Sequence, residues 1–231
     1  MLIADFTRYA KNTEAFSREE VETIHTKSVC VVGCGGLGGY VAMTLTRFGV
    51  GSLTLVDGDV FDVSNLNRQL FCTEANLGKS KAAEAKLALS AVNSDVAITA
   101  VAERFGEANG ARILAGCDAA VDCLDNVSSR LILESACASA AIPLFHGAIG
   151  GFYGQVACVF PGDDTLHTLY AGDGSGPYAS RAGNPPFTPQ LVAALQCSEA
   201  LKFLAGRENL LRKKLLLIDL YRNVFQTVEL G

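Results

Sequence analysis

"SVCVVGCGGLGGYVAMTLTRFG", Ser28 to Gly49, is the part of the 231-residue chain from which its architecture can be read. The first six residues are β-branched or small, the composition of a strand buried on both faces. Gly33-Cys34-Gly35-Gly36-Leu37-Gly38 then spells G-x-G-x-x-G, and "YVAMTLTRFG" (40–49) is apolar at helical spacing. A second strand, "SLTLVD" (52–57), ends on Asp57, 19 residues after Gly38. Glycines between a strand and a helix let backbone N–H groups approach a phosphate, and the helix N-terminus favours its charge. Asp57 stands where it can accept hydrogen bonds from ribose hydroxyls. A nucleotide site is therefore expected at Gly33, Gly35, Gly36, Gly38 and Asp57. The competing explanation is a tight turn for close helix packing, and the motif by itself does not choose between NAD, FAD, S-adenosylmethionine and ATP.

The flanking sequence repeats the alternation. Ser17 and Glu20 have the spacing of a capping box, opening a short polar helix towards Lys27. Helices are expected over 75–92, 107–115 and 127–140, and strands over 96–101, 119–123 and 142–147. Strands alternating with helices imply an α/β fold, a Rossmann-like, parallel-dominated sheet with helices on both faces. The pattern changes after "FYGQVACVF" (152–160), where residues 161–188 are rich in Gly, Pro, Asp and Tyr and read as a crossover loop. A strong helix over 189–206 follows, and "KLLLIDL" and "NVFQTVEL" read as a C-terminal antiparallel hairpin through Tyr221 and Arg222. With no repeat or linker, 1–231 reads as a single domain, and 1–27 as its N-terminal helical segment.

Composition narrows the partners. A chain 49% hydrophobic and 19% charged is a well-packed protein rather than a disordered one. A net charge of −5 without a long Lys/Arg run argues against nucleic acid as the main partner. No apolar run is long enough for a bilayer span, and "MLIADFTRYAKN" lacks the signature of a signal peptide, so a cytoplasmic protein is expected. The eight cysteines contain no C-x-x-C pair, so no zinc site is expected and most thiols read as packing residues.

After Asp57 the chain continues "GDVFDVSNLNRQL" (58–70), then "GKSK" (78–81) and later "DCLDN" (122–126). This D-x-D…S-N-L-x-R-Q…G-x-x-K series resembles the ThiF/MoeB/HesA family, bacterial relatives of ubiquitin-activating E1 enzymes, over residues 28 to 230. The resemblance implies ATP-dependent adenylation of the C-terminal glycine of a ubiquitin-like sulfur-carrier protein with a Gly-Gly tail, and a homodimer. The residue types suit that chemistry. Bringing a carboxylate to the α-phosphate of ATP joins two anions, so the site must supply cations, fixed donors and a metal-holding carboxylate. Arg68 offers a forked donor for phosphate oxygens, Asn65 can hydrogen-bond the same group, and Gln69 is a weaker candidate. Lys79 and Lys81 stand in the first turn of an expected helix, where the macrodipole disfavours cations unless an anion binds nearby. The resemblance makes Lys81 the lysine on the triphosphate, against a solvated surface lysine; Lys79 reads as surface. It also makes Asp125 the acid associated with Mg²⁺, beside Asp122 and Asn126; the alternative is a helix-capping Asp-Asn pair. Asp59 matches the second acid of D-x-D, with no role assigned.

The chain departs from the family in places. The two zinc-binding C-x-x-C pairs are absent, and no cysteine lies between Cys158 and Cys197, where many members carry one for a thioester or persulfide. Sulfur would then arrive from another protein. The family's R-Y-x-R-Q is here Arg8-Tyr9-Ala10-Lys11-Asn12, in which lysine keeps the charge and loses the fork. His146 reads as a hydrogen-bonded structural histidine and Cys34 as a small turn residue. The crossover loop, with "GGFYGQ" (150–155), is expected to cover the carrier tail. Two other readings stay open: an NAD-dependent oxidoreductase, and a non-catalytic partner subunit of an activating enzyme.

Overall fold

The computed structural model describes residues 6–171 and 183–230. Its central strand, β1 (Ser28–Val32), is buried on both faces: Val29 and Val31 enter one apolar cluster, Cys30 and Val32 the other. β2 (Ser52–Val56), β3 (Ala97–Val101), β4 (Ala119–Asp122) and β5 (Leu144–Gly150) extend it in parallel. β6 (Tyr153–Val159), β7 (Lys214–Asp219) and β8 (Val224–Glu229) add an antiparallel side. The order is β3-β2-β1-β4-β5-β6-β7-β8. α1 (Arg18–Ile24), α2 (Gly36–Phe48), α3 (Lys81–Ser90) and α7 (Phe187–Leu204) bury their apolar residues against one face. α4 (Glu107–Leu114), α5 (Val127–Ser139) and α6 (Thr165–Leu169) cover the other. The mostly parallel sheet, two-sided helix cover and terminal hairpin are those expected from the sequence.

Two expected elements are corrected. The helix placed over 75–92 is two pieces: a 3-10 turn at Glu74–Asn76 and then α3. Gly78 at φ +80° breaks the run, and the Ser80 hydroxyl accepts the Ala83 N–H to start α3 one residue before Lys81. The crossover loop contains α6, whose first N–H groups are taken up by Glu134: Leu166 N–H at 2.6 Å and His167 N–H at 3.0 Å. Residues 172–182, the middle of the crossover segment expected to cover a carrier tail, lie outside the described residues.

The N-terminal segment is docked by particular contacts. Ser17 and Glu20 form the expected capping box, and Arg207 grips the Glu20 carboxylate at 2.7 Å. Arg8 bonds Asn93 and Asp95, and Tyr9 is buried against Gly49, which at φ +94° leaves no room for a Cβ beside the ring. Lys11 is exposed.

The glycine turn divides into two kinds of position. A Cβ on Gly38 would lie 1.7 Å from the Gly33 carbonyl oxygen, a backbone contact that cannot yield. One on Gly36 would meet Arg68 and Pro189 side chains at 3.6 Å, ordinary packing distance. Gly38→Ala is therefore expected to destabilise the chain by about 3 kcal/mol, lowering the melting temperature by about 10 °C. Gly36→Ala, at the first residue of α2, should leave it within about 0.5 kcal/mol of the parent. Calorimetry of the two variants checks both.

Candidate active site

The carboxyl ends of β1, β2 and β4 open onto a cleft of about 330 Å³, at the point where strand order reverses and open α/β sheets bind ligands. The glycine turn is one wall. Gly33, Gly35 and Gly36 line it, and no side chain caps the N–H groups of the first turn of α2. Those donors are the groups that an anion satisfies. Asp57, at the end of β2, braces the turn: one carboxylate oxygen accepts the Cys34 N–H at 2.8 Å, the other the Asp59 N–H at 2.8 Å.

The facing wall is built by a short 3-10 turn, Val63–Asn65. Asp62 accepts the Ser64 N–H at 2.9 Å, and Asn65 returns its side-chain oxygen to the Asp62 N–H at 3.1 Å. The Ser64 N–H holds the Asp62 carboxyl below its ordinary range. The Asn65 carbonyl then accepts the N–H groups of Arg68 and Gln69, which aims both residues at the cleft. The Arg68 guanidinium donates to the Ser64 carbonyl at 2.9 Å and to Asn67 at 2.8 Å. Gln69 is buried, and its side-chain oxygen has no hydrogen-bond partner, an orphan acceptor that a ligand donor would satisfy.

Lys81 is the first residue of α3 and is only 9% exposed. Its ammonium stands 3.6 Å from Asp59, whose other oxygen takes Arg104 at 2.8 Å. Burial in the cleft removes the solvated-lysine explanation; Lys79 is the exposed one. Across from them, Asp125 is exposed and accepts the Asn126 amide at 3.2 Å, while Asn126 caps α5 by accepting the Ser129 N–H at 2.9 Å. The capping explanation thus describes Asn126, and Asp125 keeps an accessible carboxylate. One carboxylate with phosphate oxygens and waters suits Mg²⁺, which rarely takes an all-protein cage. Among the described residues no group of three or more His, Cys, Asp or Glu is gathered for a metal.

Of the twelve residues expected at this site, ten line the cleft; Gly38 and Asn65 do not. Gly38 packs α2 onto the turn, and Asn65 holds the turn that presents Arg68. Other lining residues went unforeseen, among them Arg104, Phe105, Arg130 and Asn184. Arg130 carried a usable signal, since a cation near the start of α5 faces the same macrodipole argument applied to Lys81. Arg104 follows β3 at the ligand-binding end of the sheet. His146 is fully buried, bonded to Asp122 at 2.7 Å and to Gln155 at 3.0 Å, a structural histidine.

Residues 9–231 match the model of the ThiF family. The chain belongs to the ThiF family. It is 35% identical over 203 residues to the "SAMP-activating enzyme E1" of Haloferax volcanii, covering 87% of this chain and 75% of that protein. It is 33% identical over 221 residues to the "molybdopterin-synthase adenylyltransferase" of Escherichia coli K12, covering 93% and 88%. Against the "adenylyltransferase and sulfurtransferase MOCS3" of Sus scrofa, 34% identical, it covers 89% of this chain and 46% of that longer protein. Two of these relatives are named adenylyltransferases and the third an activating enzyme E1, and the expectation of an E1-like enzyme of that type stands. Solved structures share the fold: E. coli MccB with ATP at TM-score 0.79 and 21% identity, covering 98% of this chain and 72% of MccB. E. coli TcdA, crystallised with ATP, aligns at TM-score 0.75 and 23% identity, covering 89% and 98%.

All eight cysteines are buried and free. Burial pushes the Cys34 thiol well up from its ordinary value, with the Asp57 carboxylate adding to it. Cys117 goes the other way, to about 7, chiefly through a hydrogen bond from Cys30. Thiolate is the reactive form, so alkylation of the folded protein at about pH 8 should label Cys117 first and leave Cys34 unmodified. Peptide mapping after iodoacetamide treatment checks this; early labelling of Cys34 would contradict the assignment.

Proposed function

We propose that this chain, as a single E1-like domain in a cytoplasmic homodimer, uses ATP to adenylate the C-terminal glycine of a ubiquitin-like sulfur-carrier protein. The observation that carries the reading is one cleft joining a glycine turn to Arg68, Lys81 and Arg104, with the exposed Asp125 opposite. An NAD site would use the turn and Asp57 and leave those cations idle. The names of the relatives, one activating SAMP and one acting on molybdopterin synthase, support a carrier of this class.

The carrier carboxylate needs no base, because a C-terminal carboxyl of pKa about 3.5 is already ionised. Its oxygen bonds to the α-phosphorus as the bond from that phosphorus to the β-bridging oxygen breaks, and pyrophosphate leaves. In this scheme the first N–H groups of α2 and Arg68 take phosphate oxygens, and Lys81 exchanges Asp59 for the triphosphate. Gln69 supplies its unpaired oxygen to a ligand donor, and Asp57 accepts from the ribose. Asp125 would hold Mg²⁺, which when bound neutralises phosphate charge. Cations aimed at charge that develops in the transition state act on turnover more than on binding.

Exchange of radiolabelled pyrophosphate into ATP tests the proposal. Exchange should require a carrier with a Gly-Gly tail and Mg²⁺, and Arg68→Ala or Asp125→Ala should lower it by at least about a hundredfold with unchanged melting behaviour. Tight ATP binding with no exchange across a full set of carriers would favour the non-catalytic subunit. NADH binding without ATP competition would favour the oxidoreductase.

A further inference from the structure

Beneath the cleft lies a buried polar cluster that the adenylation scheme does not use. Asp122 ends β4 with no solvent exposure, and a carboxylate so placed must be paired or bonded. One oxygen accepts the Leu124 N–H at 3.0 Å; the other lies 2.7 Å from His146 Nδ1. Burial pushes the His146 pKa down, so the ring is neutral: Nδ1–H donates to Asp122 and Nε2 accepts a Gln155 N–H at 3.0 Å. The same Gln155 amide nitrogen donates to the Tyr170 hydroxyl at 2.9 Å.

Arg130 is the cation of the cluster, yet it is not placed for the best ion pair. Its Nε stays 3.6 Å from Asp122 and makes no hydrogen bond. Its two terminal nitrogens go elsewhere, one to the Leu124 carbonyl at 2.6 Å and one to the Tyr170 hydroxyl at 3.2 Å. Leu124 is thus held at both ends, its N–H by Asp122 and its carbonyl by Arg130. The next residue is Asp125.

We propose that Arg130 and Tyr170 are positioning residues, clamping the Leu124 carbonyl so that the Asp125 carboxylate keeps its place at the cleft. A residue there merely to neutralise Asp122 would turn its fork onto that carboxylate. Tyr170, at the end of α6, holds the terminal nitrogen of the guanidinium that Leu124 does not. The kinetic consequence rests on the adenylation reading; the geometric one does not.

Two measurements separate the cases. Hydrogen–deuterium exchange of the nucleotide-free protein reports the turn directly. Tyr170→Phe should speed uptake in segment 123–126 by about fivefold, the loss of the hydrogen bond that its hydroxyl takes from Arg130, with β1 and β2 unchanged. Arg130→Lys keeps the charge facing Asp122, loses the fork and should raise uptake more, by about thirtyfold. In pyrophosphate exchange both variants should lower kcat by similar factors while KM for ATP stays within about twofold. Neither should lower the residual rate further in an Asp125→Ala background, because the clamp acts through Asp125. Unchanged uptake at 123–126 in both variants overturns the proposal. So does a raised KM for ATP at constant kcat, which would make Arg130 a direct nucleotide ligand, and so do losses that add to that of Asp125→Ala. Should Arg130→Lys fail to fold, Tyr170→Phe decides. Should the unmodified protein show no exchange with any carrier, the adenylation reading falls and deuterium uptake alone decides this one.

Discussion

The approach of Gly38 to the Gly33 carbonyl, too close for any Cβ, lets the helix start directly behind the first strand. A wider turn would move the N-terminus of α2 away from β2 and β4. The Gly33 N–H reaches the Val56 carbonyl at 2.7 Å, and the Cys123 N–H reaches the Val32 carbonyl at 2.9 Å, so three strand ends are tied to this turn. Asp57 then binds the turn from outside through the Cys34 N–H. The backbone donors of the cleft are therefore oriented before any ligand arrives, the preorganisation that electrostatic stabilisation requires.

Side-chain charges are arranged differently, by mutual neutralisation. Lys81 at the start of α3 opposes the helix dipole and is nearly buried, a position unfavourable for an isolated ammonium. Asp59 offsets the cost by pairing with Lys81 and Arg104 together. A triphosphate carries more charge than one carboxylate and can displace it from Lys81. On the proposed reading, the second acid of D-x-D would keep these cations in place between ligands. Asp62, not aimed at the cleft, uses its carboxylate on the turn that presents Arg68.

How much was readable in the sequence follows from how local each signal is. Strand and helix order came from composition and periodicity together: β1 and β4, buried on both faces, are short apolar runs, and α2 and α7 are long and apolar. The expected 75–92 helix failed at Gly78, whose positive φ is invisible to an apolar count. The short α6 depends on Glu134, 32 residues before Leu166, and no local pattern announces such a contact. Asn65 and Gly38 belong to the expected ligand set, and the partners described for them are in the chain itself. Arg104 and Arg130 reach the cleft only because β3 and β4 end beside it, which is knowledge of topology rather than of spacing.

The buried thiols bear on where sulfur chemistry can occur. Cys34 lies in the glycine turn, close enough to a nucleotide to suggest a relay, but a buried thiol held protonated beside Asp57 is a poor nucleophile. Cys123 and Cys197 are likewise pushed up by burial. Cys117 is the thiol moved the other way, and it stands before β4, at the end of the sheet opposite the cleft. An acyl-adenylate formed beside Asp125 would thus meet no ready thiolate among the described residues. On the proposed reading, sulfur would come from a donor that reaches the cleft from outside this fold, on the exposed side of Arg104 and Asp125.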